Sequence, residues 1–524
     1  MKPIGVYKTI TDLIYESKPD EARDEVHTAL KTISAKGHPR LLYTQANLYG
    51  FLIDIGCDSK NENDLRQAIA FYEKNGEELQ SIITKPSYFY NLANAYSGLS
   101  QIYFLSNRGV PKVEIIKTTL QQPISLYWQA FKSLSNKDTD TRPKILINLS
   151  NSLTDAGRII EAIQFLDIVL ANTPSYPQAI TSLADHIWRL SLVTNCTVTG
   201  SLYGRIFELY DYCINKGILP NAQLERCINQ REKAKNKIES LGFDVSTIQV
   251  KMAEAQQEFE KHKEYRKFCI NNFLTLNEHA VYCNCSQAQK DDLQIGVKHA
   301  KFIGAKVPKL ELLLNRMKSE FSLARWLFHQ STAKEQKLDS DTLYSELLDG
   351  EIINSETELL RTSFRTCYGI LDKIAKGICK LYDLTGDTDN VLFEAFWNPA
   401  NQARWSKINQ IKNMHLSALY SIASDLNTKT GELKHFKDWR NKLEHGILIL
   451  KDTKKETTDP LGIYKDVDFF SIVDIDDFRE KTMHLLQLTR AAIFSFVYCV
   501  RLQTIETITD EEKGNGHLID FKNS

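Results

Sequence analysis

Three polar side chains stand close together in the stretch from Asp438 to Leu450, which reads DWRNKLEHGILIL. They are Arg440, Asn441 and His445, and together they suit the cleavage of a phosphodiester bond. An imidazole with a pKa near ~6.5 takes or gives a proton at neutral pH. A guanidinium binds phosphate oxygens in pairs and stabilises the added negative charge of a transition state, while an amide orients the phosphate or the imidazole. This chemistry needs no metal ion and no cofactor.

RNA supplies its own nucleophile for such a reaction, the ribose 2′-OH. We expect His445 to deprotonate this hydroxyl or to protonate the leaving 5′-oxygen, which yields a 2′,3′-cyclic phosphate and a 5′-OH end. DNA lacks the hydroxyl and should not be cut by this route. The stretch therefore predicts a metal-independent endoribonuclease.

The periodicity of the same stretch limits how these groups can meet. If a helix continues to Leu450, its buried apolar stripe consists of Trp439, Leu443, Ile447 and Leu450. Arg440 and His445 are then about 140° apart around the helix, too far to grip one phosphate. Either Arg440 lies at a frayed helix start, or a second copy of the helix completes the site across a two-fold axis. The second arrangement predicts a homodimer.

The spacing of Arg440-Asn441 and His445 resembles the motif of the HEPN superfamily of helical ribonucleases and nucleotide-binding domains. Three further segments occur in an order similar to that of a bacterial family joining N-terminal tetratricopeptide (TPR) repeats to a C-terminal HEPN domain. They are Tyr265–Asn277, Met317–Gln330 and Phe364–Ile378. The resemblance covers about the last half of the chain. It implies a helical bundle, usually dimeric, in which the arginines and histidines of both copies line one cleft.

The resemblance also implies supporting residues and a biological role. In HEPN nucleases a polar residue from another helix sometimes supports the site, and Glu320 and Asp372 are the candidates; an ion pair between helices is the alternative. Lys442 and Glu444 lie within the motif and are candidates for binding RNA or supporting the site. By analogy with the family, we expect a toxin or anti-phage defence effector of a prokaryote.

The composition favours helix over sheet. The 524 residues are 42% hydrophobic and 25% charged, with 13 prolines and 23 glycines, which predicts an almost all-α protein of two or three domains. A net charge of -1 gives no general attraction for a polyanion, so RNA must bind at a local patch. Long apolar runs and a signal peptide are not found, which predicts a cytoplasmic protein without a membrane span and with reduced cysteines.

The order of the patterns predicts four parts of the chain. Residues 1–220 are expected to form a TPR-like solenoid of helical hairpins, 221–307 a helical connector, 308–505 a HEPN-like helical bundle and 506–524 a polar tail. The clearest repeat is Lys144–Pro174. Its small residues, its turn glycine and its final proline have the spacing of a TPR repeat of about 34 residues. The concave face of the solenoid is a candidate site for a protein or peptide regulator; a scaffold without a ligand is the alternative.

Other hypotheses stay open. The repeats can serve as a non-catalytic scaffold while the bundle only dimerises or binds a nucleotide, or the bundle can be the regulated partner of a nucleotidyltransferase antitoxin. His279, Cys283 and Cys285 also lie close in sequence. A single Cys-x-Cys with one histidine lacks the second ligand pair typical of structural zinc, so we expect no metal site there.

Overall fold

The computed structural model describes residues 3–36, 40–107, 113–135, 138–194, 199–219, 221–296, 307–332, 350–384, 391–452 and 470–506. The chain divides into two compact units. The first unit is Met1–Arg189 with Ile206–Gly242, and the second unit is Leu190–Arg205 with Phe243–Ser524. Helices form nearly all the regular structure of the described residues, so the predicted all-α class is confirmed. The predicted domain boundaries remain predictions, and the tail beyond residue 506 lies outside the described residues.

Helices that follow one another in sequence pack together through most of the first unit. Its helices are α1 (Pro3–Tyr15), α2 (Pro19–Lys36), α3 (Leu41–Ser59), α4 (Glu62–Lys74), α5 (Gly76–Ile82), α6 (Lys85–Asn107), α7 (Val113–Ile115), α8 (Gln121–Lys132), α9 (Thr141–Asp155), α10 (Ile159–Asn172), α11 (Pro177–Leu190), α12 (Thr199–Asn215) and α13 (Asn221–Ser240). A π-helical turn, Ile116–Leu120, precedes α8. The end of α11 and the start of α12 belong to the second unit.

The clearest predicted repeat forms the helical hairpin of α9 and α10. Ser150 and Ala162 are fully buried, as the close approach of two helices requires. Gly157 turns the chain between the helices with a φ of 87°, which glycine adopts without steric cost. The buried Arg158 and Glu161 then form an ion pair of 2.8 Å at the start of α10. The hairpin is present, and its assignment to the TPR class remains a prediction.

The second unit contains a helical bundle and two short strands. Its elements are α14 (Val245–Glu260), α15 (Glu264–Asn271), two 3-10 turns (His279–Val281 and Ser286–Gln289), α16 (Val307–Ser331), α17 (Ser355–Tyr382), α18 (Phe393–Phe396), α19 (Gln402–Gln410), α20 (Met414–Asp425), α21 (His435–His445), β1 (Ile447–Lys451), β2 (Phe470–Asp474) and α22 (Ile475–Glu506). Helix α17 packs on α16 and α22, and α22 also packs on α16 and α20. These four helices form the bundle.

Local signals explain the two longest helices of the bundle. A capping box, in which the Asn354 and Thr357 side chains each bond the other residue's backbone N–H, begins α17. Asp383, in the left-handed conformation with a φ of 51°, ends it. Within α22, Ile475–Thr504 is long and apolar enough to cross a membrane by length and composition alone, but 89% of that apolar window is buried inside the protein. Such burial is expected of the central helix of a bundle.

The prediction that the motif helix continues to Leu450 is wrong for the residues after His445. Helix α21 ends at His445, and Ile447–Lys451 forms strand β1, which pairs in parallel with β2. Gly446 separates the two elements, and Leu448, Ile449 and Leu450 are buried one after another. A consecutive buried run fits a strand covered on both faces, whereas an amphipathic helix would bury only one stripe.

Candidate functional site

Two aromatic side chains hold the motif helix α21 against the bundle. Phe436 and Trp439 are buried and both contact Phe364 of α17, and Trp439 also contacts Phe478 of α22. The ring centroids of Trp439 and Phe478 lie 5.2 Å apart, and those of Phe364 and Phe436 lie 6.1 Å apart. Aromatic pairs of this kind add about 0.5–1.5 kcal/mol to the free energy of burial. This docking fixes the direction of every other side chain on α21.

The helical period then places Arg440 and His445 on different faces. Arg440 follows Phe436 by four residues, about 40° from the buried direction, and is half-buried. His445 follows Phe436 by nine residues, about 180° away, and is exposed. Among the residues that the structure describes, the His445 side chain has no hydrogen bond or ion pair. Arg440 lies in the middle of α21, so the arrangement with a frayed helix start does not apply.

Arg440 faces two carboxyl groups from neighbouring helices. Burial raises the pKa of Asp372 on α17 and of Glu394 on α18, and the charge of Arg440 acts in the opposite direction on both. The Phe393 backbone N–H donates a hydrogen bond of 2.8 Å to Asp372. Lys437, one turn before Arg440 on α21, forms an ion pair with Glu394. The ion pair of Lys437 with Glu394 therefore anchors α21 to α18, and the charge of Arg440 favours the ionised form of Asp372 on α17.

A buried tyrosine hydroxyl lies near the same guanidinium. Tyr368 stands one turn before Asp372 on α17 and is 7% exposed. Its hydroxyl has no hydrogen-bond partner among the described residues. Burial raises the pKa of Tyr368 well above its ordinary value, and the charge of Arg440 acts against this rise. An unpaired buried hydroxyl carries a desolvation cost that a bound oxygen atom would relieve.

The other predicted motif residues lie along α21. Asn441 is half-buried, and its side-chain oxygen accepts a hydrogen bond of 3.3 Å from Arg440. Lys442 is half-buried, and its backbone carbonyl accepts the Gly446 N–H at 3.1 Å where the helix ends. Glu444 is exposed. The structure thus brings Arg440 and Asn441 into contact, while the roles of Lys442 and Glu444 remain predictions.

Of the two predicted supports from other helices, only Asp372 lies near Arg440. Glu320 on α16 forms ion pairs with Arg316 at 2.8 Å and with Lys373 at 2.9 Å. The ion pair with Lys373 joins α16 to α17, and an ion pair between helices is the alternative role predicted for Glu320. Sequence analysis did not assign Tyr368 or Glu394 to the site. The spacing of Tyr368 and Asp372 by four residues on one helix was the available signal.

A second group of reactive side chains lies in the segment between α15 and α16. The ligand atoms of His279, Cys283 and Cys285 all lie within 4.8 Å of one another. A hydrogen bond from Cys283 lowers the pKa of Cys285, and His279 acts in the same direction. Sequence analysis set these residues aside because a second ligand pair was missing. Their approach depends on the path of the two 3-10 turns, which no sequence pattern reports.

The first unit contains a cavity of about 840 Å³. The helices α6, α9, α11 and α13 contribute most of its lining. Polar and charged lining residues include Gln101, Asn148, Asn151, Asp185, Arg189 and Arg226. Asp185 forms an ion pair with Arg226, and Arg189 forms one of 3.0 Å with Asp155. The cavity thus carries amide groups and paired charges of both signs.

Comparison with known families gives a match in the C-terminal part of the chain. Residues 302–503 match the family model described as LA2681-like HEPN. The chain therefore carries a C-terminal HEPN domain, which contains α16 to α22 and the motif helix. HEPN domains as a family are often ribonucleases, occur in toxin and defence systems, and commonly dimerise and bind RNA. Comparisons with curated proteins and with solved structures gave no match.

Proposed function

We propose that the protein is a metal-independent endoribonuclease whose active site forms from two copies of α21. One observation carries the proposal. On a single short helix, Arg440 is half-buried and bonded to Asn441, while His445 ends the helix exposed and unpaired among the described residues. The HEPN domain at residues 302–503 supports the same conclusion, because ribonuclease activity is common in that family.

In the proposed reaction the ribose 2′-OH attacks the adjacent phosphorus. His445 of one copy accepts the hydroxyl proton as the new O–P bond forms, and the same histidine of the second copy protonates the 5′-oxygen as the old P–O bond breaks. Arg440 binds the non-bridging oxygens and stabilises the charge that grows on them. Asn441 orients the phosphate or His445, from which it is about 40° away around the helix.

The separation of Arg440 from His445 supports the dimeric arrangement. Within one copy the two residues are about 140° apart around α21. A two-fold axis places the same surface of both copies face to face, so the arginine of one copy can approach the histidine of the other. Lys442 and Glu444 are then at the edge of the shared cleft, where we propose that they contact RNA. Glu320 supports the site only through its ion pair with Lys373, next to Asp372 in sequence.

We further propose that the first unit is a TPR-like solenoid that controls the nuclease. The cavity lining supports this proposal, because α6, α9, α11 and α13 are alternate helices of successive hairpins, the helices that line the inner face of such a solenoid. A protein or peptide regulator is the proposed occupant of the cavity. The protein would act in the cytoplasm as a toxin or anti-phage effector.

The deciding experiment is an RNA cleavage assay in EDTA with end mapping. Wild-type protein should yield 2′,3′-cyclic phosphate and 5′-OH ends, and His445→Ala and Arg440→Ala should each reduce the rate by about 100-fold or more. His27→Ala, which removes a histidine from α2 in the first unit, is the control and should cut at the wild-type rate. Undiminished cleavage by His445→Ala would rule the mechanism out. No cleavage by a dimeric wild-type protein would favour the scaffold alternative.

A further inference from the structure

Three side chains with metal-binding atoms converge in the irregular segment between α15 and α16. His279 begins the first 3-10 turn, Cys285 directly precedes the second, and Cys283 lies between the turns. Nε2 of His279 is 3.0 Å from the sulfur of Cys285. All three ligand atoms fit within 4.8 Å of one another. This donor set is distinct from the RNA-cleavage motif and is not used by the proposed reaction.

These separations fit the edges of a small coordination tetrahedron. With Zn–S near 2.3 Å and Zn–N near 2.0 Å, two ligand atoms of a tetrahedral zinc lie about 3.5–3.8 Å apart. The 3.0 Å between His279 and Cys285 is slightly shorter than this value, and the limit of 4.8 Å on every pair is slightly longer, so the three atoms are close enough to share one ion. One histidine and two cysteines form the nitrogen and sulfur donor set that zinc prefers, whereas magnesium and calcium take oxygen ligands.

His279 already has the orientation of a metal ligand. Its Nδ1 shares a hydrogen bond of 3.2 Å with the hydroxyl of Tyr282, while Nε2 faces Cys285. A zinc-bound histidine generally donates its other ring N–H to a neighbouring group, which fixes the ring and its tautomer. The Tyr282 hydroxyl provides that acceptor.

Hydrogen bonds around the donor set hold its two turns together. The Asn277 side chain donates to the backbone carbonyls of Gln287 at 3.0 Å and Lys290 at 2.7 Å, which ties the first turn to the second. Glu278, the residue before the ligand histidine, forms a buried ion pair of 2.6 Å with Arg501 of α22. The donor set therefore lies on a segment that is anchored to the HEPN bundle.

We propose that His279, Cys283 and Cys285 bind one zinc ion that holds the two 3-10 turns of this segment together. Three protein ligands leave the fourth position of a tetrahedral zinc to water or another small ligand. The ion would add a link between turns that hydrogen bonds of Asn277 and the packing of Ala280 and Ala288 already connect. Its binding free energy would therefore add to the stability of the segment. The site is independent of RNA cleavage, which we propose to proceed without a metal.

The test measures the zinc content of full-length protein purified from zinc-supplemented cells. Wild-type protein should hold about one zinc per chain. Cys269→Ser removes a buried thiol of α15 outside the donor set and, as the matched control, should hold the same amount. Cys283→Ser and Cys285→Ser should each hold at least about tenfold less. After removal of the zinc, Co²⁺ added to wild-type protein should produce thiolate-to-cobalt absorption and the intense visible bands of a tetrahedral site.

The Co²⁺ spectrum needs only the wild-type protein, so the test does not depend on the folding of any variant. Wild-type protein that holds no zinc and gives no thiolate band with Co²⁺ overturns the proposal. A Cys283–Cys285 disulfide in place of the metal overturns it as well, and so does equal zinc content in wild-type protein and both serine variants. Because the cleavage assay is run in EDTA, the nuclease proposal and the zinc proposal can fail separately.

Discussion

Asp372 of α17 lies within electrostatic reach of Arg440 of α21 and also accepts a hydrogen bond of 2.8 Å from the Phe393 N–H. Its carboxylate therefore binds the start of α18 and interacts electrostatically with Arg440 of the motif helix. Burial raises the pKa of Asp372, while the backbone hydrogen bond and the charge of Arg440 act in the opposite direction. We therefore expect Asp372 to act as a positioning residue that helps to fix the direction of the guanidinium.

Asp372→Asn should lower the rate of RNA cleavage by about tenfold, a change of about 1.4 kcal/mol in the activation free energy. The amide keeps an oxygen for the Phe393 N–H but removes the charge opposite Arg440. Steady-state kinetics should show the loss mainly in kcat, because the guanidinium is misdirected and not removed. Glu358→Gln is the control on the same helix, where Glu358 is exposed and pairs with Arg361. Equal losses in both variants would contradict a positioning role.

Two glycines of α17 should respond to alanine in opposite directions. A Cβ at Gly377 would lie 2.6 Å from the Phe496 ring and 2.9 Å from Leu313, so Gly377→Ala overpacks the contacts of α17 with α22 and α16. We expect a loss of about 1–3 kcal/mol in the free energy of unfolding. A Cβ at Gly369 would meet only Lys373, at 3.9 Å, and Gly369→Ala should gain up to about 1 kcal/mol through helix propensity. Urea denaturation measures both, and changes of the same sign would contradict this packing.

The sequence predicts the long helices of the bundle well and the end of the motif helix poorly. Amphipathic periodicity in the sequence predicts helices at Lys309–Gln330 and Glu356–Leu384. The structure has helices at Val307–Ser331 and Ser355–Tyr382, so both predictions are close to the observed bounds. A short apolar run such as Ile447–Leu450 fits a helix or a strand equally well. Its assignment depends on pairing with β2, which no local pattern reports.

In the candidate site, too, local sequence patterns are predictable and contacts between distant elements are not. Arg440, Asn441 and His445 form a local pattern, so sequence alone identifies them. The neighbours of Arg440 come from α17 and α18, and their approach is a property of packing. The apolar pattern of α17 predicts Tyr368 as a core residue, which agrees with its burial, but it does not predict that Arg440 acts on its hydroxyl.

The ion pair of Arg325 and Asp291 should control the stability of the second unit. Arg325 of α16 is 2% exposed and also donates a hydrogen bond of 2.6 Å to the Leu274 carbonyl. Burial opposes ionisation of Asp291, but the hydrogen bond and charge of Arg325 lower its pKa to about 2. Since this pKa is below the unfolded value of about 3.9, the contribution is present above that pH and is lost as the pH falls toward 2.

Arg325→Met should therefore cost about 1–3 kcal/mol at pH 7. It leaves the carboxylate of Asp291 with the longer ion pair of 3.4 Å to Arg266 and the hydrogen bond from the Leu276 N–H. The cost should shrink at lower pH, where Asp291 of the variant becomes protonated. The double variant Arg325→Met with Asp291→Asn also removes the carboxylate charge of Asp291 and should recover part of the lost free energy of unfolding. Chemical denaturation at neutral and acidic pH measures these differences. A cost that is the same at both pH values would show that the pair does not stabilise the fold through charge.

His186 of α11 should also make stability depend on pH. Its imidazole must stay neutral in the folded first unit, whereas Asp291 must stay charged in the second. It is 4% exposed at the cavity, and its Nδ1 has no partner among the described residues. Burial lowers the pKa of His186 to about 3, and the charge of Arg189 acts in the same direction. The unfolded chain, with a pKa near ~6.5, binds the proton first, so the contribution to stability is present above that pH and is lost as the pH falls toward the folded value.

Within this pH window His186 should make the free energy of unfolding fall by up to about 1.4 kcal/mol for each pH unit. His186→Gln cannot take up a proton, and its stability should fall less steeply with acid than that of wild-type protein. Hydrogen exchange of peptides from α9 and α11, corrected for the intrinsic effect of pH, measures the slope in the first unit alone. His27→Gln, which alters a histidine for which burial is incomplete, is the matched control and should retain the wild-type slope. Parallel slopes for wild-type protein and His186→Gln would mean that the imidazole is charged in the folded state, which its burial beside Arg189 opposes.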